Sequence, residues 1–554
     1  MIMSHNMKNR IRASYGVNRE LKLVADPACA AKCENGTFVG RHLGETIAFR
    51  GIPFAKPPVG ALRWKKPEAP EPDTRIYEAY FNGKTPIQTE WPTEVASYYP
   101  QGEDCLYLNV WVSPGFHGRK RAVMVFFHGG SYGWGGTADP LYDGQALATA
   151  HPEVVLVTVG YRTGLMGFVD FSSIPGGEAF PDAPNLGIWD QVEALRWVNR
   201  NIAAFGGDPE CVTIFGESAG GGSVSILPFV KEAKGLFCRS IAQSGSVVLT
   251  FSKEECQDFT RRLVQASGVK SMGELMAMSE DRLKEINEAV NMYNNFPQRD
   301  GVLIPEDPYQ FYAEGRTSDV EMMVGTNANE INYWVGELGG IVAYRFGIPV
   351  KFENDLKALD PGKRKLVKSY VDRQKGHPIW RMSEFYNEMM FRLPAIRQVE
   401  EHCKHGGKAY MYFWKVPSHI RFRGACHAVE LAYVFGNVEE TIFTGKKASR
   451  KISEMVQRMW VNFAKTGNPS TVPYRWPKYG RQYRATMIID TNTHVEMSPK
   501  DKSRRMLLPL LDEHINMSYA DMSYNVPFIR SLAAAGLLTV AAIGTAVVRA
   551  ISKK

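Results

Sequence analysis

The stretch Val212-Thr213-Ile214-Phe215-Gly216-Glu217-Ser218-Ala219-Gly220-Gly221 constrains the fold more than any other in the chain. An apolar, β-branched run is followed by Gly-x-Ser-x-Gly and then by small residues that can open a helix. That is the order of a strand, a sharp turn and a helix, with a serine at the tip. A hydroxyl placed there stands clear of its own backbone at the edge of a sheet. The turn brings strand and helix so close that a Cβ two residues either side would clash, hence Gly216 and Gly220. The pentapeptide alone also fits an ordinary strand–turn–helix. Ser218 becomes a nucleophile only if the chain supplies a base, an acid and an oxyanion site.

The surroundings have the matching pattern. Leu106–Val112, Ala122–Phe127 and Val154–Val159 are strand-like, and the last two are near-continuous apolar runs, as in strands buried on both faces. Asp190–Val198 is helical in pattern, and residues 452–465 predict another amphipathic helix, ended by Thr466-Gly467-Asn468-Pro469. Strands alternating with helices predict an α/β fold with a mostly parallel sheet and helices on both faces. Residues 251–400 are richer in helix and loop, and read as a cap or insertion over that sheet. Residues 1–33 are polar and basic and read as a mobile N-terminal arm. The catalytic domain is expected over 34–520, with a tail from 521 to 554.

Several function classes are disfavoured. The net charge of +8 is modest for 554 residues and the basic residues are scattered, so no nucleic-acid partner is indicated. Eight cysteines include no pair of zinc-type doublets; Cys29-x-x-x-Cys33 stands alone, and neither metal nor cofactor is expected. The N-terminal residues lack the apolar core of a cleavable secretory signal. The expectation is a reducing compartment with free thiols, in which the sequons at Asn35 and Asn516 are chance matches.

Three further elements suit acyl transfer. His128-Gly129-Gly130-Ser131 follows a strand directly, where glycines let backbone N–H groups turn toward a ligand and form one side of an oxyanion hole; the amide of Ala219 would form the other. Glu330 follows the apolar strand Val320–Val324 and is the candidate acid. His427, in Ala425-Cys426-His427-Ala428, is the candidate base. A lone glutamate is usually a solvated charge and a lone histidine usually structural. The order Ser, acid, His along the chain is what adds weight.

With these residues in view, the chain resembles the type-B carboxylesterase/cholinesterase family over roughly residues 34–512. The likeness rests on Gly51-Ile52-Pro53-Phe54-Ala55, Glu103-Asp104-Cys105-Leu106, Asn185-Leu186-Gly187-Ile188-Trp189-Asp190-Gln191, Phe205-Gly206-Gly207-Asp208-Pro209, the Ser218 turn, Gln243-Ser244-Gly245-Ser246 and Tyr433-Val434-Phe435-Gly436. The resemblance implies the α/β-hydrolase fold and a Ser–His–Glu triad of Ser218, His427 and Glu330. It places Gly129, Gly130, Ser131 and Ala219 at or beside the oxyanion hole, and implies an ion pair between Arg63 and Glu103. The expected substrate is a small-molecule or lipid-like carboxylic ester.

The chain departs from the family at three points. Ser131 replaces the third oxyanion glycine. Cys105 has only Cys29 and Cys33 before it, so the bridge of secreted relatives is not expected. The position of the choline-stacking tryptophan is Val95, with Trp91 nearby but out of register, which argues against choline esters. Acyl transfer to an alcohol is a second enzymatic reading. Adhesion proteins share the fold but lack the serine, and so fit poorly.

Ser531–Val548 is eighteen residues without a charge. As a helix it would span about 27 Å, enough for a thin bilayer. It is expected to be a tail anchor, with the catalytic domain in the cytosol; a helix packed on the domain or on a second copy, in a soluble cytoplasmic protein, is the alternative. Homo-oligomerisation is left open.

Overall fold

A computed structural model describes residues 26–90, 95–290, 295–335, 348–349, 351–513 and 515. Fourteen strands lie among them: β1 (Ala30–Cys33), β2 (Asn35–Val39), β3 (Arg41–Leu43), β4 (Thr46–Pro53), β5 (Asp73–Glu78), β6 (Tyr107–Val112), β7 (Arg121–Phe127), β8 (Val154–Val159), β9 (Gly207–Glu217), β10 (Arg239–Gln243), β11 (Glu321–Asn327), β12 (Ala409–Trp414), β13 (Ala485–Ile489) and β14 (His494–Met497). Eleven form one sheet in the order β14-β13-β12-β11-β10-β9-β7-β8-β6-β4-β3. From β8 across to β13 every neighbouring pair is parallel; the flanking pairs are antiparallel. This is the α/β-hydrolase fold that the sequence implied.

The apolar runs of β7 and β8 are explained by two helical layers. Val123, Val125 and Phe127 point to one face and pack with Val192, Leu195 and Val198 of the Leu186–Asn201 helix. Met124 and Phe126 point to the other and pack with Met459, Trp460 and Phe463 of the Arg450–Thr466 helix. A strand buried on both faces has no polar side to show. The Arg450–Thr466 helix ends at Gly467 in the left-handed conformation, φ 70°. A separate cluster joins Trp64, Leu165 and Phe171 to the helices Lys253–Ser267 and Glu280–Val290, inside the region read as a cap.

Two buried ion pairs fix the loops around this frame. Arg63 and Glu103 meet through two hydrogen bonds of 2.6 Å, and Arg63 Nη1 donates to the carbonyls of Met276 and Met278 at 2.9 Å. Arg162 grips Asp190 at 2.7 and 2.9 Å with both side chains out of solvent.

The N-terminal boundary differs from the expected one. Ala30–Cys33, assigned to the arm, pairs antiparallel with β2, and Cys29, Ala31 and Cys33 are buried. Alternation of small apolar and polar side chains in so short a segment is too weak a periodic signal to read. The rest of the arm, residues 1–25, lies outside the described residues. Asn35 is committed to structure: its Nδ2 donates to Pro53 O and its Oδ1 accepts from Trp197 Nε1. All eight cysteines are free thiols. No helix among the described residues is long and apolar enough to cross a membrane. The segment 531–548, expected as an anchor, lies outside them.

Candidate active site

Strand β9 ends at Glu217, and Ser218 follows with φ 57° and ψ −119°, a conformation that L-residues adopt only when their surroundings hold them there. The helix Ala219–Ile226 begins at once. Ser218 N–H donates to Gln243 O at 2.9 Å, and Ser218 O accepts from Gly222 N–H at 2.8 Å, so the turn is tied to β10 and to its own helix. The glycines are obligatory for the reason read from sequence. A Cβ on Gly216 would press on the Gly220 carbonyl, and one on Gly220 would overlap the Phe127 carbonyl oxygen.

Glu330 opens the 3-10 turn Glu330–Val335 just beyond β11. It is fully buried and heavily bonded. Its Oε1 accepts from the Asn327 N–H at 2.6 Å and the Ser244 hydroxyl at 2.7 Å, and its Oε2 lies 2.7 Å from His427 Nδ1. The His427 N–H donates to Glu330 O at 3.3 Å. A carboxylate so supplied with donors is an acceptor toward Nδ1, which fixes the imidazole tautomer and leaves Nε2 facing the pocket. Trp334 stacks on the imidazole at 5.5 Å and Phe391 packs at 5.1 Å. Phe391 is carried there by a π-helical turn, Asn387–Arg392.

Nε2 meets a second carboxylate, Glu217 Oε1, at 3.2 Å. In this arrangement it makes no hydrogen bond to Ser218. Burial pulls the His427 pKa down, but the negative charges of Glu217 and Glu330 and the Glu330 hydrogen bond outweigh it, and the pKa is raised to about 9. Glu430, buried behind, has its pKa raised by burial and by Glu330, and is held by Asn327 Nδ2 at 2.6 Å and Gln243 Nε2 at 3.2 Å.

The loop after β7 supplies the opposite wall. Gly130, Ser131 and Tyr132 all have positive φ, at 102°, 51° and 56°. Three successive left-handed residues turn the backbone sharply, and the backbone–backbone bonds of the described loops include none donated by the N–H groups of Gly130, Ser131 or Ala219. Gly129 leaves room for Glu217 and Ser218; a Cβ there would lie 2.9 Å from Glu217 Oε2 and 3.1 Å from Ser218 Cβ. One pocket is lined by Gly130, Ser131, Ser218, Tyr333, Trp334 and His427, with Trp134, Tyr142 and Phe443 completing an aromatic wall. A second, polar cavity, lined by Arg50, Asp139, Asn437 and Glu440 among others, contains none of the expected site residues.

Of the expected residues, Gly130, Ser131, Ser218 and His427 line this pocket, Glu330 is buried behind His427, and Gly129 and Ala219 adjoin the lining in the chain. Missed by sequence reasoning were Ser244, Glu430, Phe391 and a position for Glu217. Ser244 lies inside a stretch already noted for its likeness to the family, but nothing there marked it as a partner of Glu330, and Glu430 lies outside the stretches noted.

Comparison with known proteins agrees with this geometry. The carboxylesterase family model matches residues 27–507. The para-nitrobenzyl esterase of Bacillus subtilis is 35% identical over 83% of this chain and 94% of its own. A mouse cholinesterase is 31% identical over 81% of this chain and 80% of its own. The carboxylesterase Est55 of Geobacillus stearothermophilus superposes with a TM-score of 0.77 at 31% identity, covering 86% of this chain and 99% of that one. Identity to the para-nitrobenzyl esterase is higher than to the cholinesterase. Matched from β1 to the last helix of the sheet domain, the chain belongs to the carboxylesterase family and is a carboxylesterase.

Proposed function

We propose that the ester is cleaved through an acyl-enzyme on Ser218, with His427 as base and Glu330 as its orienting acid. The observation that carries this reading is the 2.7 Å contact between His427 Nδ1 and Glu330 Oε2, in a pocket shared with Ser218. Neutral His427 takes the Ser218 proton on Nε2 as Oγ attacks the ester carbonyl. Glu330 stabilises the imidazolium formed. The oxyanion is received by the amides of Gly130, Ser131 and Ala219, which face charge that develops only in the transition state. His427 returns the proton to the leaving alcohol, and water then attacks the acyl-enzyme by the same route. For this cycle, the Glu217 carboxylate must yield Nε2 to Ser218. The aromatic lining favours esters with an apolar group on at least one side of the bond.

Labelling with a fluorophosphonate tests the assignment. The wild type is expected to carry the label on Ser218 and to lose turnover of an acyl-chain-length ester panel in proportion. Ser218→Ala is expected to take no label and to fall to the rate left by binding and the oxyanion amides alone, a loss of about 10⁶. Ester turnover in purified Ser218→Ala at the wild-type rate would remove the serine from the mechanism.

A further inference from the structure

Away from the active site, one arginine holds two thiols. Cys211 lies in β9, and Cys238 immediately precedes β10, its N–H donating to Val212 O at 3.0 Å. Arg239 Nη1 is 3.5 Å from Cys211 Sγ and 3.4 Å from Cys238 Sγ. The guanidinium is itself fixed: Nε donates to Glu321 Oε2 at 2.8 Å, and Nη1 to Ala464 O at 3.0 Å. Each thiol also donates to a carbonyl, Cys211 Sγ to Ala464 O at 3.6 Å and Cys238 Sγ to Val212 O at 3.4 Å. Both are half-buried and thus reachable from solvent.

No other cysteine has this setting. Burial pushes the thiols of Cys29, Cys33 and Cys403 upward, to about 11, 12 and 11, and Cys105, Cys256 and Cys426 are buried and raised too. Cys211 goes the other way. The neighbouring Cys238 and then the Arg239 guanidinium outweigh its burial and hold it below the usual thiol range, while Cys238 is raised. A fixed cation within 3.5 Å of two half-buried thiols is the arrangement of an attacking and a resolving cysteine.

We propose that Cys211 and Cys238 form an oxidant-responsive dithiol that a hydroperoxide closes into a disulfide. The Cys211 thiolate attacks one peroxide oxygen, an S–O bond forms as the O–O bond breaks, and the departing oxygen leaves as water or alcohol after taking a proton. Cys211 is then a sulfenic acid. The Cys238 sulfur attacks it, the S–S bond forms, and hydroxide leaves with the Cys238 proton as water. Two thiols lose two electrons and one peroxide gains them. Arg239 stabilises the attacking thiolate and lies within 3.5 Å of both sulfurs. Seven residues of extended strand, about 23 Å, separate Cys211 from Ser218, so the chemistry is independent of ester cleavage.

The test is thiol counting and peptide mapping of the full chain after hydrogen peroxide. The wild type is expected to lose two of its eight thiols, to yield one cross-linked peptide pair containing Cys211 and Cys238, and to recover both thiols with dithiothreitol. Cys238→Ser is expected to stop at sulfenic acid on Cys211, trapped by dimedone. Cys211→Ser is expected to form no disulfide, with esterase turnover unchanged in both variants. Arg239→Gln is expected to slow oxidation of Cys211 by about tenfold. Eight thiols surviving in the wild type, or a cross-link between any other cysteines, would overturn the proposal without recourse to the variants.

Discussion

Glu217 Oε1 lies 3.2 Å from His427 Nε2, on the side of the ring opposite Glu330. The imidazole is thus held between two carboxylates, and its proton affinity exceeds that of an ordinary histidine. The raised pKa of about 9 means that the free enzyme carries an imidazolium at neutral pH, and the base form appears only as pH climbs through that value. We therefore expect kcat/KM for a neutral ester to rise up to about pH 9. Glu217→Gln removes one negative charge and should move the rising limb down by about one pH unit. Glu330→Gln should behave differently, losing about 10⁴ in kcat at every pH because the ring loses its tautomer and its orientation. A Glu217→Gln profile superimposable on the wild type would show that Glu217 does not set the protonation of His427.

The N–H of Ser131 is the proposed oxyanion donor, and its side chain is not. Ser131→Gly relieves a left-handed non-glycine residue and should keep kcat within about tenfold. Ser131→Pro removes the N–H and cannot reach φ 51°, and should cost about 10²–10³ in kcat with a smaller change in KM. Steady-state kinetics on one ester separates the two outcomes.

Gly220 packs its Cα against the Phe127 carbonyl. Gly220→Ala should cost about 1–3 kcal/mol or more in urea unfolding, and at least about 10² in kcat because the displaced turn carries Ser218 with it. Wild-type stability with wild-type rate would mean that the turn is looser than its contacts imply.

Glu388, buried in the π-helical turn, accepts three hydrogen bonds from Arg392 and pairs with Lys500 at 2.8 Å. Burial raises its pKa, but these two cations outweigh it and hold it at about 2. A carboxyl with a depressed folded pKa adds stability that is fully present above its unfolded value of 4.5 and fades as pH falls toward 2. Glu388→Gln should cost about 3–5 kcal/mol at pH 7, because it leaves the buried Arg392 without its anion, while Lys500 keeps Glu384. The gap to wild type should narrow when the urea titration is repeated below pH 4.

No described part of the pocket comes from beyond Phe443. Truncation after residue 520 should therefore leave kcat/KM on a water-soluble ester unchanged within about twofold. A large loss would mean that the tail reaches the site.

The sheet and the Ser218 turn were legible because each depends on a short-range rule. β7 and β8 read as buried from their apolar runs alone, and Gly216 and Gly220 from the closeness of strand and helix. Glu330 and His427 were reachable only through their order along the chain and the family likeness, since 111 and 96 residues of chain intervene and no local pattern spans such distances. Glu217 could be seen beside Ser218, but its contact with Nε2 depends on where the His427 loop lands. The strand Ala30–Cys33 was missed because four residues carry too little periodicity to stand out from a polar arm.

The same close approach that excludes a Cβ at Gly220 joins two functions in one piece of backbone. Phe127 ends the strand that leads into Gly130 and Ser131, and Gly220 belongs to the helix that starts from Ser218. The proposed nucleophile and the proposed oxyanion amides therefore sit on a single block with a fixed gap between them. Adaptation to a different ester cannot come from that block without altering the chemistry. It must come from the facing aromatic wall of Tyr333, Trp334 and Phe443, which makes those three positions the place where a change of diet would be written.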